Sequence, residues 1–487
     1  MKLSTGLAVL FLAGSSFQAL AAATPEEAAR LTAVIQSYVG SEAGVVTVTP
    51  NGESYNTRLD FAPLIAKIKQ TGFAASVTPI DMTLTPQGNG KWRVDQDQPL
   101  AFSMKVDGQI EMKGSVAAIK GSGTFDEALG GFESSTTEYS QFAFDQTVTE
   151  NNLPTRVTYT IGTMTSNTAM AAAGSGADGT IKMTFKNFNE TISVPAAPDG
   201  STLAMDVAIA ATDGAQDSLV KGLQTKGLLA LAAWLVAHPS PDAMKAGQAE
   251  LKDKVYAALP IFTSFDATTS VNNLTVNTMM GRFAMAKADV QVIANGLVEE
   301  GYLREKFTFT GFKMPEGIVP PWAAGLVPGD FTIDFDVSDF NPAAAAKVVL
   351  DNMDLNQQPS LKPEIEQQAL QALLPKGSVK IGLLPSTVLA AIYNLKAEGA
   401  MTAGPMAVPA GQATVLLKGL DEAMATMNAA PPEMGMQQMA PMFMLAKGMA
   451  KQEADGYLSW KIESTPEGAL LVNGTDLSKM GGAPPSP

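Results

Sequence analysis

The spacing of hydrophobic positions along this chain switches between the helical period and the period of a strand. Leu31, Val34, Ile35, Tyr38 and Val39 recur at three- and four-residue intervals, which predicts an amphipathic helix. Thr24-Pro25-Glu26-Glu27 supplies a capping box with proline at the first helical position, and Gly40 supplies the stop. The period then falls to two. Residues 45–49 and 54–61 flank Pro50-Asn51-Gly52-Glu53, a hairpin signal, and a short helix is expected from Pro63. Between Met82 and Met205 the chain is Thr-rich and punctuated by glycine, with strands expected at 91–94, 100–106, 109–117, 156–164 and 180–188. Asp107-Gly108 reads as a tight turn between two of them. Alternation of this kind indicates antiparallel sheet with one face in water.

Helical spacing returns at 216–237 and 242–259, with Ser240 and Pro241 as cap and first turn of the second helix. Strands are expected again at 270–294, 302–312 and 331–337, helices from Pro342 and Pro363, and strands at 379–384, 388–397 and 413–418. A Met-rich helical stretch, 420–450, precedes a terminal hairpin in which Thr465-Pro466-Glu467-Gly468 connects 457–462 with 469–472. The fold class is therefore α+β, mostly antiparallel sheet, as two β-rich parts (24–212 and 263–480) with a helical block (213–262) between them and a disordered tail, 481–487.

Composition narrows the setting. Of 487 residues 46% are hydrophobic and 17% charged, which is globular composition; net charge is -15 and cysteine is absent. The acidic balance argues against phosphate-driven nucleic-acid binding, and the lack of cysteine excludes disulfides, thiol nucleophiles and Cys-ligated zinc. Residues 1–23 have the parts of a secretory signal: Lys2, the apolar run 7–12, and small-residue cleavage sites that would leave Ala22 or Thr24 as the mature start. The expected destination is the periplasm, as an exported protein with no transmembrane anchor after cleavage. The other apolar run, 227–237 (GLLALAAWLVA), is about half a bilayer span and reads as a buried or groove-lining helix.

No motif assigns catalysis. His238 is the only imidazole and sits between the apolar helix and Pro239, where capping or packing is its expected role. Ser218-Leu219-Val220-Lys221 has the S-x-x-K form, but the partner motifs of penicillin-binding enzymes are missing, so it reads as chance. Asp330, Asp334, Asp336 and Asp339 form the densest carboxylate group, which would solvate a strand face or present oxygens to Ca²⁺. Thioethers clustered in 434–444 could hold Cu(I), yet no His or Cys is nearby to complete the site, so no metal or cofactor is expected.

The segment from Leu420 through the Met-rich helix to Leu458-Ser459-Trp460-Lys461-Ile462 and Gly468-Ala469-Leu470-Leu471-Val472-Asn473-Gly474 resembles the C-terminus of an uncharacterised alphaproteobacterial envelope family catalogued only as a domain of unknown function. The resemblance covers the C-terminal ~70 residues and implies a secreted protein, with no site residue to transfer. The residues themselves favour a non-enzymatic protein that binds a lipid-like ligand or an envelope protein partner. A structural scaffold is the alternative, and a Cu(I) binder or a hydrolase without a recognisable motif come after it. The side chains expected to line an apolar groove are Leu228, Leu231, Trp234 and Leu235 on one helix and Met439, Met442, Phe443 and Met444 on another.

Overall fold

Thr24 does cap a helix. Its hydroxyl accepts a hydrogen bond from the backbone N–H of Glu27, and α1 (Pro25–Val39) runs until Gly40, where φ is 95°. The computed structural model describes residues 22–477 except 69–70, 151–152, 198–199, 201–202, 358–359 and 406. Nearly all of the expected signal segment and the whole of the expected tail, 481–487, thus lie outside the described residues.

Antiparallel pairing then continues from one end of the molecule to the other. β1 (Val46–Asn51) and β2 (Ser54–Leu59) form the expected hairpin, followed by one turn of helix, α2 (Ala62–Ile65). β3 (Ala74–Val77) and β4 (Ile80–Gly88) share one edge of β5 (Lys91–Val106), and β2 pairs with the other side of β4. β6 (Ile110–Asp126), β7 (Gly131–Glu150), β8 (Leu153–Ala173), β9 (Gly176–Val194) and β10 (Met205–Leu223) follow as a meander in which each strand pairs with the next. These strands are about three times the usual length because alternation persists and only tight turns interrupt it. At Asp107-Gly108 both residues have positive φ (50° and 69°), the type I′ geometry that a right-twisted hairpin requires.

The helical block begins later than its spacing predicted. Residues 216–223 are strand, because Gln216, Ser218 and Val220 alternate with Asp217, Leu219 and Lys221 and pair on both sides; that two-sided pairing outweighs helical spacing. α3 (Thr225–Ala237), α4 (Pro241–Ala246) and α5 (Gln248–Ala258) follow, the last two divided at Gly247, where a Cβ would lie 2.7 Å from the Trp234 ring. β11 (Ser264–Thr278) then returns to β10 and pairs with it from Lys221↔Ser264 to Ala208↔Asn277. One sheet therefore continues through the two β-rich parts: β12 (Gly281–Asn295), β13 (Gly301–Thr310), β14 (Pro328–Phe340), β15 (Val379–Ala390), β16 (Asn394–Gly404) and β17 (Ala407–Lys418), each beside the last. α6 (Pro342–Asn352) and α7 (Pro363–Leu373) connect β14 to β15 and pack on each other. The Met-rich stretch is not one helix; Pro431, Pro432 and Gly435 break it into α8 (Leu420–Asn428), short 3₁₀ turns and α9 (Ala440–Met449). β18 (Lys451–Gln452), β19 (Leu458–Ser464), β20 (Leu470–Val472) and β21 (Thr475–Asp476) complete the sheet, with β19 against β17.

A crease crosses this sheet. Gln141, Gly162, Asn187, Thr212, Asn273 and Ala286 stand side by side on β7 to β12, each at a rung where the ladder skips its bridge. On alternate strands the residue is left-handed: φ is 51° at Gln141, 57° at Asn187 and 52° at Asn273. In an unbroken strand, residues three apart point to opposite faces. Here Phe185 and Phe188, which flank the crease in β9, have ring centroids only 6.2 Å apart, so both rings remain on one face. Asparagine tolerates the left-handed region better than most side chains, which suits it to a position where alternation must restart.

Fully buried clusters lie at the two ends of the sheet. Ala28 and Leu31 of α1 cover Tyr55, Leu84 and Trp92 at one end. At the other, Leu420 of α8 and Phe443 of α9 pack with Trp460 and Val472. The first cluster is tied down by charge: Arg30 bridges Glu27 and Glu127, and the Trp92 indole donates to Glu127 at 2.7 Å. Hydrogen bonding to Arg30, and secondarily to Trp92, holds the Glu127 carboxyl below its ordinary pKa although partial burial opposes this. A depressed pKa contributes stability above the ordinary carboxylate range and loses it as pH falls through the folded value. The gap in thermal midpoint between the native protein and Glu127→Gln should therefore be widest near neutral pH and close below about pH 4.

Candidate functional site

The sheet is two-faced, and the register shows how. Phe331, Ile333, Phe335 and Val337 of β14 point one way, while Thr332, Asp334, Asp336 and Ser338 point the other. Following Phe331 through its cross-strand partners gives a single row: Ile119, Tyr139, Met164, Phe185, Gly214, Val271, Ala288, Phe309, Phe331, Val388, Leu395, Leu417 and Leu458. It crosses β6 to β17 and ends on β19 without a polar residue. Gly214 fits the row because the Phe185 ring lies over it; a Cβ at that glycine would be 2.3 Å from ring carbons. Phe309 and Phe331 are 4.6 Å apart between centroids. Beyond the crease the same face carries Phe142, Phe144 and Tyr159, with the tyrosine ring 5.4 and 4.9 Å from the two phenylalanines.

Between the two end clusters these aromatic side chains are half-buried, and Ile181, Ile333, Ile381 and Met401 on the same face are exposed. The face is therefore closed at its ends by α1 and by α8 with α9 and partly open between them, where the large side chains are half-buried or exposed and the smaller Gly214, Val220, Ala267 and Ala288 are buried. It has polar interruptions: Gln216 donates to Ser218 at 3.1 Å, and Glu305 stands between Val292 and Phe335. The opposite face is mostly polar, with ion pairs such as Arg156–Asp145, Lys182–Asp217 and Lys287–Asp289, although Leu219 and Leu389 are exposed on it. A depression of about 810 Å³ lies on that more polar side, among Thr49, Arg58, Asp81, Asp95 and Lys120.

The four aspartates gather no cation site among the described residues, and Asp334 does not solvate its strand face, whereas Asp339 is exposed. Asp334 is buried (3% exposed, against 42% for its neighbour Ile333) and is gripped through both oxygens by Arg304 at 2.8 and 2.6 Å. Its backbone N–H donates to the Ser386 hydroxyl. The hydrogen bond to Asp334 pushes the Arg304 pKa up against the effect of burial. Asp336 lies beside Tyr302, whose pKa is raised mainly by burial and then by that carboxylate. Asp330 accepts from the Gly311 N–H, and Asp339 pairs with Lys376. Among the described residues no group of three or more His, Cys, Asp or Glu side chains is arranged to hold a metal.

The eight side chains singled out in the sequence divide between two places. On α3, Leu228 and Leu231 are half-buried, Leu235 is exposed, and buried Trp234 stacks on His238 at 3.9 Å. His238 closes the helix, its N–H and Nδ1 both directed at the Trp234 carbonyl. α3 packs beside α1 and α5. On α9, Phe443 is turned into the Trp460 cluster, whereas Met442 and Met444, and Met439 just before the helix, are exposed. Six strands, β11 to β16, separate β10, from which α3 emerges, from β17 beneath α8. Ser218 and Lys221 lie on a strand, an odd number of residues apart, so they face opposite ways and cannot act as a helical S-x-x-K pair. The apolar row itself was missed from the sequence, although the alternation of 331–337 carried the signal.

No family model matches this chain, and no match was found among curated proteins or solved structures. Among the described residues no helix is long and apolar enough to cross a membrane.

Proposed function

We propose that this is an exported, non-enzymatic protein that binds a lipid-like apolar chain along the open face of its sheet, in the periplasm. The observation that carries this reading is the row from Ile119 to Leu458, aligned strand by strand between helical end caps and partly exposed except at Ile119, Gly214 and Ala288, which are buried. A scaffold would gain from burying such a face, since each large apolar side chain removed from water contributes about 1.5 to 3 kcal/mol. An extended hydrocarbon would provide that burial while the polar face stays in water. Twelve strand spacings of ~4.8 Å give the row a length of roughly 58 Å, about twice the hydrocarbon thickness of a bilayer. This favours an extended ligand, or several lying in sequence, over one small molecule in an enclosed pocket. The resemblance of the C-terminal residues to an envelope family fits the same setting.

Titration of the intact protein with a fluorescent fatty acid tests the proposal. Saturable uptake that unlabelled fatty acid displaces is the expected result; absence of uptake by the folded protein would overturn it and leave the scaffold.

A further inference from the structure

One end of the long strands carries an apolar tip. Met279 and Met280 form the turn between β11 and β12 and are 73% and 67% exposed. Met205, the first residue of β10, and Leu203, two residues before it, are 45% and 78% exposed. Ala208 of β10 pairs with Asn277, one residue short of β11's end, so all four side chains gather at one end of adjacent strands. Behind them stands a collar of mixed charge. Arg282 is the second residue of β12, and Lys313 bridges to Ala284, diagonally placed from it. Asp206 follows Met205 on β10, and Glu316 follows Pro315, which lies against Gly281. None of these four makes an ion pair with another described residue.

We infer that this tip docks on a phospholipid surface and is where the apolar ligand passes between a bilayer and the sheet. The inference rests on the ligand reading above and adds the partner. Three features select a lipid surface as the occupant. The exposed side chains are flexible Met and Leu at the end of a turn, able to enter an interface without a matching shape. Two cations and two anions behind them complement the phosphate and ammonium of a zwitterionic headgroup, with no net demand for an anionic lipid. Finally, the apolar face starts at the tip: Met205, Val207 and Ile209 on β10 continue beside Val276 on β11 and Phe283 on β12, then reach the crease and the row. An acyl chain leaving a bilayer there would stay in apolar contact along these strands.

Flotation of the full chain with phosphatidylcholine vesicles, alongside uptake of the soluble fluorescent fatty acid, tests this. The native protein should float, and Met279→Asp with Met280→Asp should weaken vesicle binding about tenfold or more. Its probe uptake and thermal midpoint should match the native protein, since an exposed turn contributes little to the core. A native protein that stays at the bottom of the gradient, or a double variant that floats equally well, would overturn the docking tip. Flotation that depends on the two methionines, without probe uptake, would uphold the tip and defeat the ligand reading instead. Binding only to vesicles containing phosphatidylglycerol, lost in Arg282→Ala with Lys313→Ala, would overturn the zwitterionic surface.

Discussion

Arg304→Ala should be among the most destabilising single substitutions in this protein. Asp334 is buried and both its carboxylate oxygens are taken by that guanidinium, so truncation leaves a charged group out of water with no counter-ion. Breaking a buried pair from one side costs about 3 to 5 kcal/mol. The cost comes from the charge left behind more than from the attraction lost, which is why the paired change has a different outcome. Arg304→Met with Asp334→Leu removes both charges and should recover most of the loss. Denaturant midpoints of the single and double variants check this. A single variant within about 1 kcal/mol of the native protein would place Asp334 in contact with water after all.

The pair also shows what pattern reading can and cannot reach. Alternation on β14 divides Phe331, Ile333 and Phe335 from Asp334 and Asp336, and this much is legible in one segment. Which side is covered is not. Charged residues normally face water, so the expectation that Asp334 solvates its strand was reasonable, but burial depends on Arg304 thirty residues away and on Ser386 beyond that. The α+β class and the antiparallel sheet followed from short-range period alone. The capped start of α1, the Asp107-Gly108 turn and the terminal hairpin likewise follow from two to four adjacent residues. Residues 216–223 show where the same method fails, because a stretch that fits both periods is decided by partners on β9 and β11. The candidate site lies at the far extreme. Helices rich in Leu and Met drew attention to α3 and α9, yet the open apolar surface is a row to which each strand contributes one residue. Such a row becomes visible only when register is known, and the left-handed residues at Gln141, Asn187 and Asn273 shift the alternation within single strands.

Phe309 and Phe331 separate a face that binds ligand from a face that only stabilises. Both are half-buried on the open part of the sheet and lean on each other across β13 and β14. Replacing both by Ala removes one aromatic pair, worth about 0.5 to 1.5 kcal/mol, and some partial burial, and the remaining face can still be wetted. Trp460 has the opposite placement: it is buried under α8 and α9, and its indole donates to the Ala446 carbonyl at 2.7 Å. Its truncation should cost about 3 to 5 kcal/mol. The two sets of variants should therefore diverge. Phe309→Ala with Phe331→Ala should unfold close to the native midpoint and bind the fatty-acid probe at least about tenfold more weakly, a loss near 1.4 kcal/mol of ligand contact. Trp460→Ala should unfold much earlier and, below its transition, bind the probe with native affinity. Measured together, thermal unfolding and probe titration show which face is which. If the phenylalanine pair instead carries the larger stability loss and leaves probe affinity unchanged, the row belongs to the core of a scaffold.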